Sequence, residues 1–263
     1  MTAQNPQDEL FFEISDRVGR ITFNRPASRN AMTFAMYERL AEISAGAEAQ
    51  GLRALVLTGA GDKAFASGTD ISQFRAFSTP QDSLDYEARL DRVLETLERC
   101  PVPTIAAIAG ACTGGGAGIA AACDIRICSA NARFGFPIAR TLGNCLSLTN
   151  TSRLAALVGP ARLTEMIFTA RLLGAEEAHS IGLVTEVVET REALDNRATD
   201  LALLVASNAP LTLRATKEAL RRLRTRGLSE QDRDLILMCY MSQDFREGMD
   251  AFLNKRQPQW RGE

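Results

Sequence analysis

The 263-residue sequence predicts an α/β fold on three observations. Short β-rich apolar runs alternate with longer segments that repeat apolar residues at helical spacing. A glycine-rich turn joins one of these strands directly to a helix. Beyond Pro160 the helical pattern predominates and only 183–188 is typical of a strand. We therefore expect an α/β core over residues 1–200 and a helical C-terminal region over residues 201–263.

The individual elements follow from the spacing of the apolar residues. Two β-rich runs, 10–14 and 20–23, flank a polar turn and predict a hairpin. Apolar residues then recur at helical spacing between Met36 and Ile43, and a compact apolar run over 53–58 predicts a buried strand. The remaining predicted strands are 103–109, 125–128 and 183–188, and the remaining predicted helices are 84–98, 162–169, 192–206, 211–223, 230–241 and 246–254.

Composition and charge exclude several classes of function. The chain is 46% hydrophobic and 24% charged, which suits a soluble domain with a sizeable core. Its net charge of -2 and the lack of a long basic run make nucleic acid an unexpected partner. The one basic cluster, 221–226, is typical of the polar end of a solvated helix.

The sequence gives no reason to expect a membrane, a leader or a metal. The polar segment 1–10 fits neither a signal peptide nor a transit peptide, so a cytoplasmic location is expected. The longest apolar stretch, 104–128, is interrupted by three glycines and ends in charged residues, so no membrane span is predicted. Six cysteines without a CxxC pair are expected to be reduced, and with His179 as the single histidine no metal site is expected.

Two glycine-rich loops are the candidates for chemistry. The loop 59–70 follows the buried strand, and the loop 109–118 joins a strand to a helix whose first amides have no internal partner. Either loop alone could be a structural tight turn, and the spacing does not fit a dinucleotide site. Two loops that both offer backbone N–H groups are the parts of an oxyanion hole.

The motifs resemble those of the enoyl-CoA hydratase/isomerase family, the crotonase superfamily, over about residues 10 to 260. The resemblance implies a spiral of ββα units, a helical C-terminal region that packs homotrimers or hexamers, and a role in fatty acid metabolism. It also implies an acyl-CoA thioester as small-molecule substrate, with coenzyme A as part of that substrate and no permanently bound cofactor. The residues that carry the resemblance are Asn24-Arg25-Pro26, Asn30-Ala31, 63–71, Gly114-Gly115-Gly116, Cys123-Asp124-Ile125, Gly182-Leu183-Val184 and Arg246-Glu247-Gly248 with Ala251, Phe252, Lys255 and Arg256.

The resemblance also implies site residues. The two oxyanion donors fall on the amides of Ser67 and Gly115, which would hold the thioester carbonyl oxygen. Asp70 and Asp124 are expected to be structural, through capping or loop hydrogen bonds. The residues expected along the coenzyme path are Arg29, Ala31, Lys63 and Ala66, together with Phe252 and Lys255 reaching from a C-terminal helix.

The sequence departs from the family pattern at the two glutamates of the hydratases. Those positions are Gly118 and Ile138 here, and neither side chain can ionise. Hydration needs one group to activate water and another to deliver a proton, and each such group typically contributes about 10²–10⁴ in rate. The sequence therefore makes ordinary hydration doubtful and leaves the reaction type open.

The loop 139–147 offers alternative chemistry and resembles the corresponding loop of a chlorobenzoyl-CoA dehalogenase, whose nucleophilic aspartate takes the place of Cys145. Cys145 is a candidate nucleophile or a packing residue in the first turn of a helix. Arg140 is a candidate partner for a substrate carboxylate and Asn144 for a water, or both may hold the loop. The open alternatives are an acyl-CoA decarboxylase, a dehalogenase-like hydrolase, a non-catalytic acyl-CoA-binding trimer, and a protein unrelated to coenzyme A. His179 is expected to have no catalytic role.

Overall fold

A computed structural model describes residues 8–226 and 233–263 and contains two sheets in its described part. The larger sheet has six strands and the smaller has four. The strands of the larger sheet are β1 Leu10–Ser15, β2 Val18–Phe23, β3 Ala54–Gly59, β5 Thr104–Ile108, β7 Ile125–Ser129 and β10 Glu186–Val188. The strands of the smaller sheet are β4 Ala64–Ala66, β6 Ala111–Thr113, β8 Arg133–Gly135 and β9 Leu173–Gly174.

The larger sheet has the order β1-β2-β3-β5-β7-β10, as the predicted alternation of strands and helices requires. Strands β1 and β2 form the predicted antiparallel hairpin, and its turn places Asp16 and Arg17 at positive φ, 50° and 62°. The strands from β2 to β10 pair in parallel. Every residue of β3 and β5 is buried, which explains their continuous apolar sequence.

The smaller sheet is a feature that the sequence analysis missed. Its order is β4-β6-β8-β9, with β4, β6 and β8 parallel and β9 antiparallel to β8. Each strand has only two or three residues, so no alternation of apolar and polar residues marks it. This sheet matters for the site, because β4 and β6 deliver the two glycine-rich turns side by side.

The helices agree with the predicted segments within a few residues at their ends, and the structure adds α4, α7 and the full extent of α5, of which only a start near Cys145 was considered. The predicted residues 230–232 lie outside the described part of the chain. The helices are α1 Phe34–Gly46, α2 Pro80–Glu98, α3 Gly115–Ala122, α4 Ile138–Thr141, α5 Leu148–Val158, α6 Pro160–Thr169, α7 Ala175–Ser180, α8 Arg191–Ala206, α9 Pro210–Arg226, α10 Arg233–Tyr240 and α11 Gln243–Leu253.

Two hydrophobic cores flank the larger sheet. One face packs against α8, where Leu194, Ala198 and Ala202 are fully buried. The other and larger core lies among α1, α2, α3 and the smaller sheet, and it includes Leu94 and Ile119. Helix α3 is buried along almost its whole length because its residues are small and apolar. The sheet and its two cores thus hold the start of α3 at a fixed place.

Asp70 and Asp124 have structural hydrogen bonds, as predicted. The Asp70 carboxylate accepts from the Ser72 amide at 3.0 Å and pairs with Arg25 at 2.8 Å. The Asp124 carboxylate accepts from the amide and hydroxyl of Thr104, at 2.7 and 2.9 Å.

None of the helices in the described part of the chain combines the length and the apolar character needed to cross a bilayer. All six cysteines are unpaired.

Candidate active site

The turns that follow β4 and β6 touch each other. The Thr113 hydroxyl donates a hydrogen bond of 2.9 Å to the carbonyl oxygen of Ser67. A Cβ atom added to Gly114 would lie 3.5 Å from the Cα of Gly68, and one added to Gly68 would lie 3.9 Å from the amide nitrogen of Gly115. The two glycine-rich loops that the sequence analysis singled out therefore meet at one place.

The three consecutive glycines are needed for this close approach. Gly114 has φ 53° and ψ -122°, a backbone conformation that residues with a Cβ rarely adopt. A Cβ on Gly115 would lie 2.0 Å from the Tyr37 hydroxyl oxygen, and a Cβ on Gly116 would lie 2.1 Å from the carbonyl oxygen of Ala66. Larger residues would push the start of α3 away from β4.

The amide of Ser67, predicted as the first oxyanion donor, already has an acceptor. It donates a hydrogen bond of 3.1 Å to the carbonyl oxygen of Arg29. The Met32 amide donates to the Gly68 carbonyl oxygen, and the Asp70 amide donates to the Met32 carbonyl oxygen. Thr69 lies between these two bonds. Because successive groups of an extended chain point to opposite sides, the Thr69 amide points away from Met32.

Thr69 and Gly115 each supply an amide without a partner at this junction. Among the described residues, neither amide has a backbone or side-chain acceptor. Gly115 is the first residue of α3, so its amide lies at the positive end of the helix dipole. The Thr69 hydroxyl oxygen would be 3.3 Å from a Cβ on Gly115, which places the two residues in direct contact. Two such donors at one point suit a developing negative charge on oxygen.

The opposite end of α3 is closed by a buried cation. The Arg126 guanidinium donates to the carbonyl oxygens of Ala120 and Cys123, at 3.2 and 2.5 Å. It also donates to the Leu183 carbonyl oxygen at 2.8 Å. Burial lowers the pKa of Arg126 from its ordinary value, and the surrounding carbonyl oxygens satisfy its donors.

A cavity of roughly 200 Å³ opens beside the two amides, and it holds the two positions at which the resemblance implies the glutamates of the hydratases. Gly118 and Ile138 lie on its wall, as the resemblance implies. Leu94 of α2 faces Gly118, because a Cβ there would lie 3.2 Å from the Leu94 Cδ1. The wall is largely apolar around these two positions, and an apolar wall strengthens the electrostatic interactions of any charge or dipole that faces the cavity.

The loop after α4 contributes unevenly to this cavity. Asn144 and Cys145 line it, whereas Arg140 is exposed to solvent and is not among the lining residues. Cys145 is also exposed and lies three positions before the first residue of α5, so it does not belong to the first turn of a helix. The structure thus brings two of the three predicted loop residues to the site.

Glu87 is the carboxylate of the cavity wall, and sequence reasoning missed it. It lies on α2, half-buried, and in the described part of the chain it has no ion-pair partner. Burial raises the pKa of the Glu87 carboxyl above its ordinary value, and the neighbouring Asp91 charge raises it further. The spacing of Glu87, Leu90 and Leu94 places them on one face of α2, and this spacing is the sequence signal that could have placed Glu87 beside apolar residues.

A chain of three hydroxyl groups lies below the turn of three glycines. The Tyr37 hydroxyl is 3.0 Å from the Thr69 hydroxyl, which is 2.8 Å from the Tyr86 hydroxyl. Burial raises the pKa of both tyrosines, more strongly for the fully buried Tyr37. Both phenols therefore stay neutral near pH 7, and the chain fixes the side chain of Thr69.

The predicted coenzyme residues fall into two groups. Arg29, Ala31 and Ala66 flank the hydrogen bonds that hold the first loop, and Arg29 is exposed. Lys63 is exposed just before β4, where its carbonyl oxygen accepts from the Ala111 amide. Lys255 is exposed after α11.

Phe252 lies within α11, and its side chain falls outside the described part of the structure. His179 lies in α7 and does not line the cavity.

Comparison with known proteins agrees with the fold and the motifs. A family model described as enoyl-CoA hydratase/isomerase matches residues 13–263. The chain is 36% identical to a short-chain-enoyl-CoA hydratase from Clostridium acetobutylicum, over 95% of this chain and 96% of that protein. It is 32% identical to a peroxisomal Delta(3,5)-Delta(2,4)-dienoyl-CoA isomerase from Arabidopsis thaliana, over 92% of each.

Among solved structures, an enoyl-CoA hydratase/carnithine racemase from Magnetospirillum magneticum superposes with a TM-score of 0.90 and 32% identity, covering 98% of this chain and 97% of that one. The architecture of two sheets and surrounding helices is therefore the crotonase fold. The chain belongs to the enoyl-CoA hydratase/isomerase family of the crotonase superfamily.

Proposed function

We propose that the protein is an enzyme that acts on an acyl-CoA thioester and stabilises its enolate with the amides of Thr69 and Gly115. The observation that carries this proposal is the meeting of two unpartnered amides beside an apolar cavity. A thioester enolate concentrates charge on its carbonyl oxygen, and removing one such donor typically costs about 3 kcal/mol in the transition state. Thr69 replaces Ser67 as the first donor, because the Ser67 amide is bound to Arg29.

The acyl group would enter the cavity, and coenzyme A would lie along the first loop. Arg29 is exposed beside this loop and its backbone is fixed by the bond from Ser67, so its side chain is available for the phosphates of the coenzyme. Ala31 and Ala66 would supply small surfaces and backbone groups along the same path. Lys63, Lys255 and Phe252 remain candidates for the outer part of the coenzyme, the latter two from a neighbouring copy in a trimer or hexamer.

The proposed reaction differs from ordinary hydration, because the chain lacks the two glutamates that the resemblance assigns to hydration. Gly118 and Ile138 supply no acid or base, and Arg140 and Asn144 do not replace a pair of carboxylates. We expect crotonyl-CoA hydration at least about 100-fold slower than that of the Clostridium acetobutylicum relative, measured side by side. Equal rates would show that other groups activate and protonate as well as the glutamates do.

The test of the proposal itself is binding and enolisation of acetoacetyl-CoA, an enolisable thioester. We expect saturable binding by calorimetry and an increase in the enolate absorbance of the bound thioester. Free coenzyme A serves as the control, because it has no carbonyl oxygen and should give no enolate signal. If acetoacetyl-CoA does not bind, the assignment to acyl-CoA chemistry fails.

One alternative of a different class is an acyl-CoA-binding trimer without catalysis. The absence of glutamate at positions 118 and 138 is the observation that favours it. Binding of acetoacetyl-CoA without an enolate signal, and without turnover across a panel of saturated, 2-enoyl, 3-enoyl and malonyl thioesters, would support it. Decarboxylation of malonyl-CoA is the less favoured reaction, because Arg140 does not line the cavity that holds the two amides.

A further inference from the structure

We propose that Glu87 on α2 is the acid/base residue of this active site and moves a proton between C2 and C4 of a 3-enoyl thioester. This inference rests on the proposed function, because it needs a thioester oxygen held by Thr69 and Gly115. It assigns the proton transfer to a helix that carries neither of the two glutamate positions of the hydratases, and it defines the substrate as an unsaturated acyl chain with an allylic C2.

The position of Glu87 is the first argument. Helix α2 turns one face to the cavity, with Glu87, Leu90 and Leu94 at successive turns. Leu94 fills the space beside Gly118, where the hydratases have a carboxylate. Glu87 lies two turns earlier along the same face, so the helix that closes one glutamate position carries a carboxylate of its own into the same cavity.

The lack of competing partners is the second argument. Among the described residues, the cavity lining contains no lysine, arginine or histidine and no carboxylate other than Glu87. The next acidic residue on the helix, Asp91, is engaged elsewhere, since it accepts from the Ser147 hydroxyl at 2.6 Å and from the Asn150 amide group at 3.4 Å. Glu87 is thus left with an unpaired carboxylate facing an apolar space.

The electrostatic surroundings favour a base with raised proton affinity. The titratable groups that face Glu87 are Asp91 and Tyr86 on α2, Tyr37 on α1 and Cys145 on the loop after α4. None of these groups is a cation. Burial and Asp91 both raise the pKa of Glu87, which brings a carboxyl closer to the neutral range where general bases work best.

The reaction balances with this single residue. The Glu87 carboxylate removes a proton from C2, and the electron pair of that C–H bond enters the enolate, which is conjugated with the C3=C4 double bond. The protonated Glu87 then returns the same proton to C4, and the double bond moves to C2=C3. No water, oxidant or second carboxylate is consumed, so the absence of glutamate at positions 118 and 138 is no obstacle.

The experiment compares three proteins on 3-hexenoyl-CoA: the unmodified chain, Glu87→Gln and Glu95→Gln. Glu95 lies on the exposed side of the same helix and pairs with Arg99 at 2.8 Å, so it is the matched control. We expect the unmodified chain and Glu95→Gln to form 2-hexenoyl-CoA, and Glu87→Gln to be slower by at least about 100-fold. In D₂O the product should carry deuterium at C4 to the extent that the proton exchanges on Glu87.

Acetoacetyl-CoA binding tests the acyl-CoA assignment separately from the role of Glu87, and it also shows whether each variant is folded. Glu87→Gln should bind this probe within a few-fold of the unmodified chain, because both oxyanion amides are retained. If the unmodified chain binds the probe but does not convert 3-hexenoyl-CoA, or if Glu87→Gln keeps its rate, the role of Glu87 is wrong while the acyl-CoA assignment stands. If the unmodified chain does not bind the probe, the acyl-CoA assignment fails as well.

The pH profile gives a readout that a structural role would not produce. As a base, Glu87 must be ionised, so the rate at low substrate concentration should rise with pH through a midpoint above the ordinary glutamate value of 4.5. The midpoint should be unchanged in Glu95→Gln and should disappear from the residual rate of Glu87→Gln. A midpoint at or below 4.5 in the unmodified chain would contradict the inference.

Discussion

The lack of a side chain at Gly115 allows the first turn of α3 to pack directly against Tyr37. The Tyr37 hydroxyl occupies the space where a Cβ would be, and Tyr37 is fully buried, so it cannot turn aside. Any side chain at this position must move the first turn of α3 and its free amide. The position of this amide therefore depends on the packing of α1 below it.

We expect Gly115→Ala to weaken acetoacetyl-CoA binding by about 1.5–3 kcal/mol, the typical value of a hydrogen bond to a charged group. Adding Tyr37→Phe should recover part of this loss, because the nearest atom to the new methyl group then lies 3.3 Å away instead of 2.0 Å. Gly46→Ala, within α1, is the control and should bind normally. Calorimetry measures all four proteins, and the absence of any recovery in the double variant would show that the hydroxyl clash is not the cause.

At this scale Gly115 can be proposed as a donor from the sequence, whereas the choice between Ser67 and Thr69 cannot be made from it. Gly115 is marked by its place at the start of a helix, where amides are always free. The first donor depends on which amide of the 67–70 segment faces the cavity, and amide direction alternates along an extended chain without any trace in the side chains. The Ser67 and Asp70 amides both donate to the 29–32 segment, so the regular alternation is broken between them, where Gly68 has φ 116°.

Helix α2 is the element that most directly shapes the cavity, and its start is fixed by a capping box. The Asp82 carboxylate accepts from the amides of Ser78 and Thr79, at 2.8 and 2.7 Å, while the Thr79 hydroxyl accepts from the Asp82 amide at 3.3 Å. These backbone hydrogen bonds lower the pKa of Asp82 below its ordinary value of 3.8. The order of this helix start is therefore linked to pH.

A carboxyl whose pKa is lower in the folded chain stabilises the fold fully above its unfolded pKa, and this contribution is lost as the pH falls through the folded value. We expect the first-turn amides of α2 to be protected from hydrogen exchange at about pH 5 and to lose protection at a pH below the ordinary aspartate value of 3.8. Asp82→Ala should give weak protection at both values, whereas Asp85→Ala should behave as the unmodified chain. Equal protection in Asp82→Ala and the unmodified chain at the higher pH would contradict the linkage.

At the scale of elements, sequence prediction succeeded where an element buries a long face. Strands β3 and β5 and helices α8 and α9 are long enough for their apolar pattern to be recognised. The four strands of the smaller sheet are too short to show an apolar pattern, and their positions are determined by the loops around them. The cavity-facing side of α2 was also not predicted, because the face of a helix that meets a cavity is decided by its neighbours.

The C-terminal helices are tied to the core by partly buried ion pairs and yet leave apolar side chains exposed. Lys217 of α9 pairs with Asp124 at 2.6 Å, and Arg224 pairs with Glu98 at 2.5 Å. On α11, Met249 is 49% exposed and Leu253, one turn later, is 78% exposed. Such a surface is typical of a region that packs against another copy of the chain.

We expect the protein to sediment as a trimer or hexamer, and the double variant Met249→Glu with Leu253→Glu to shift it to smaller species, because charges would be buried in the contact. Ile14→Glu is the control, since Ile14 is 48% exposed on β1, far in sequence from this region. Analytical ultracentrifugation gives the mass of each species. A monomeric unmodified chain would rule out the predicted assembly.

The way Arg126 closes α3 has a consequence for the whole molecule. A short helix carries opposite partial charges at its two ends, and here the negative end is neutralised by a permanent internal cation while the positive end opens on the cavity. In the ligand-free protein, only the positive end of the α3 dipole is therefore left without a counter-charge. An anion that binds at the start of α3 meets a positive partial charge that is already fixed by the fold. The attraction therefore comes from the interior of the protein rather than from a mobile surface group.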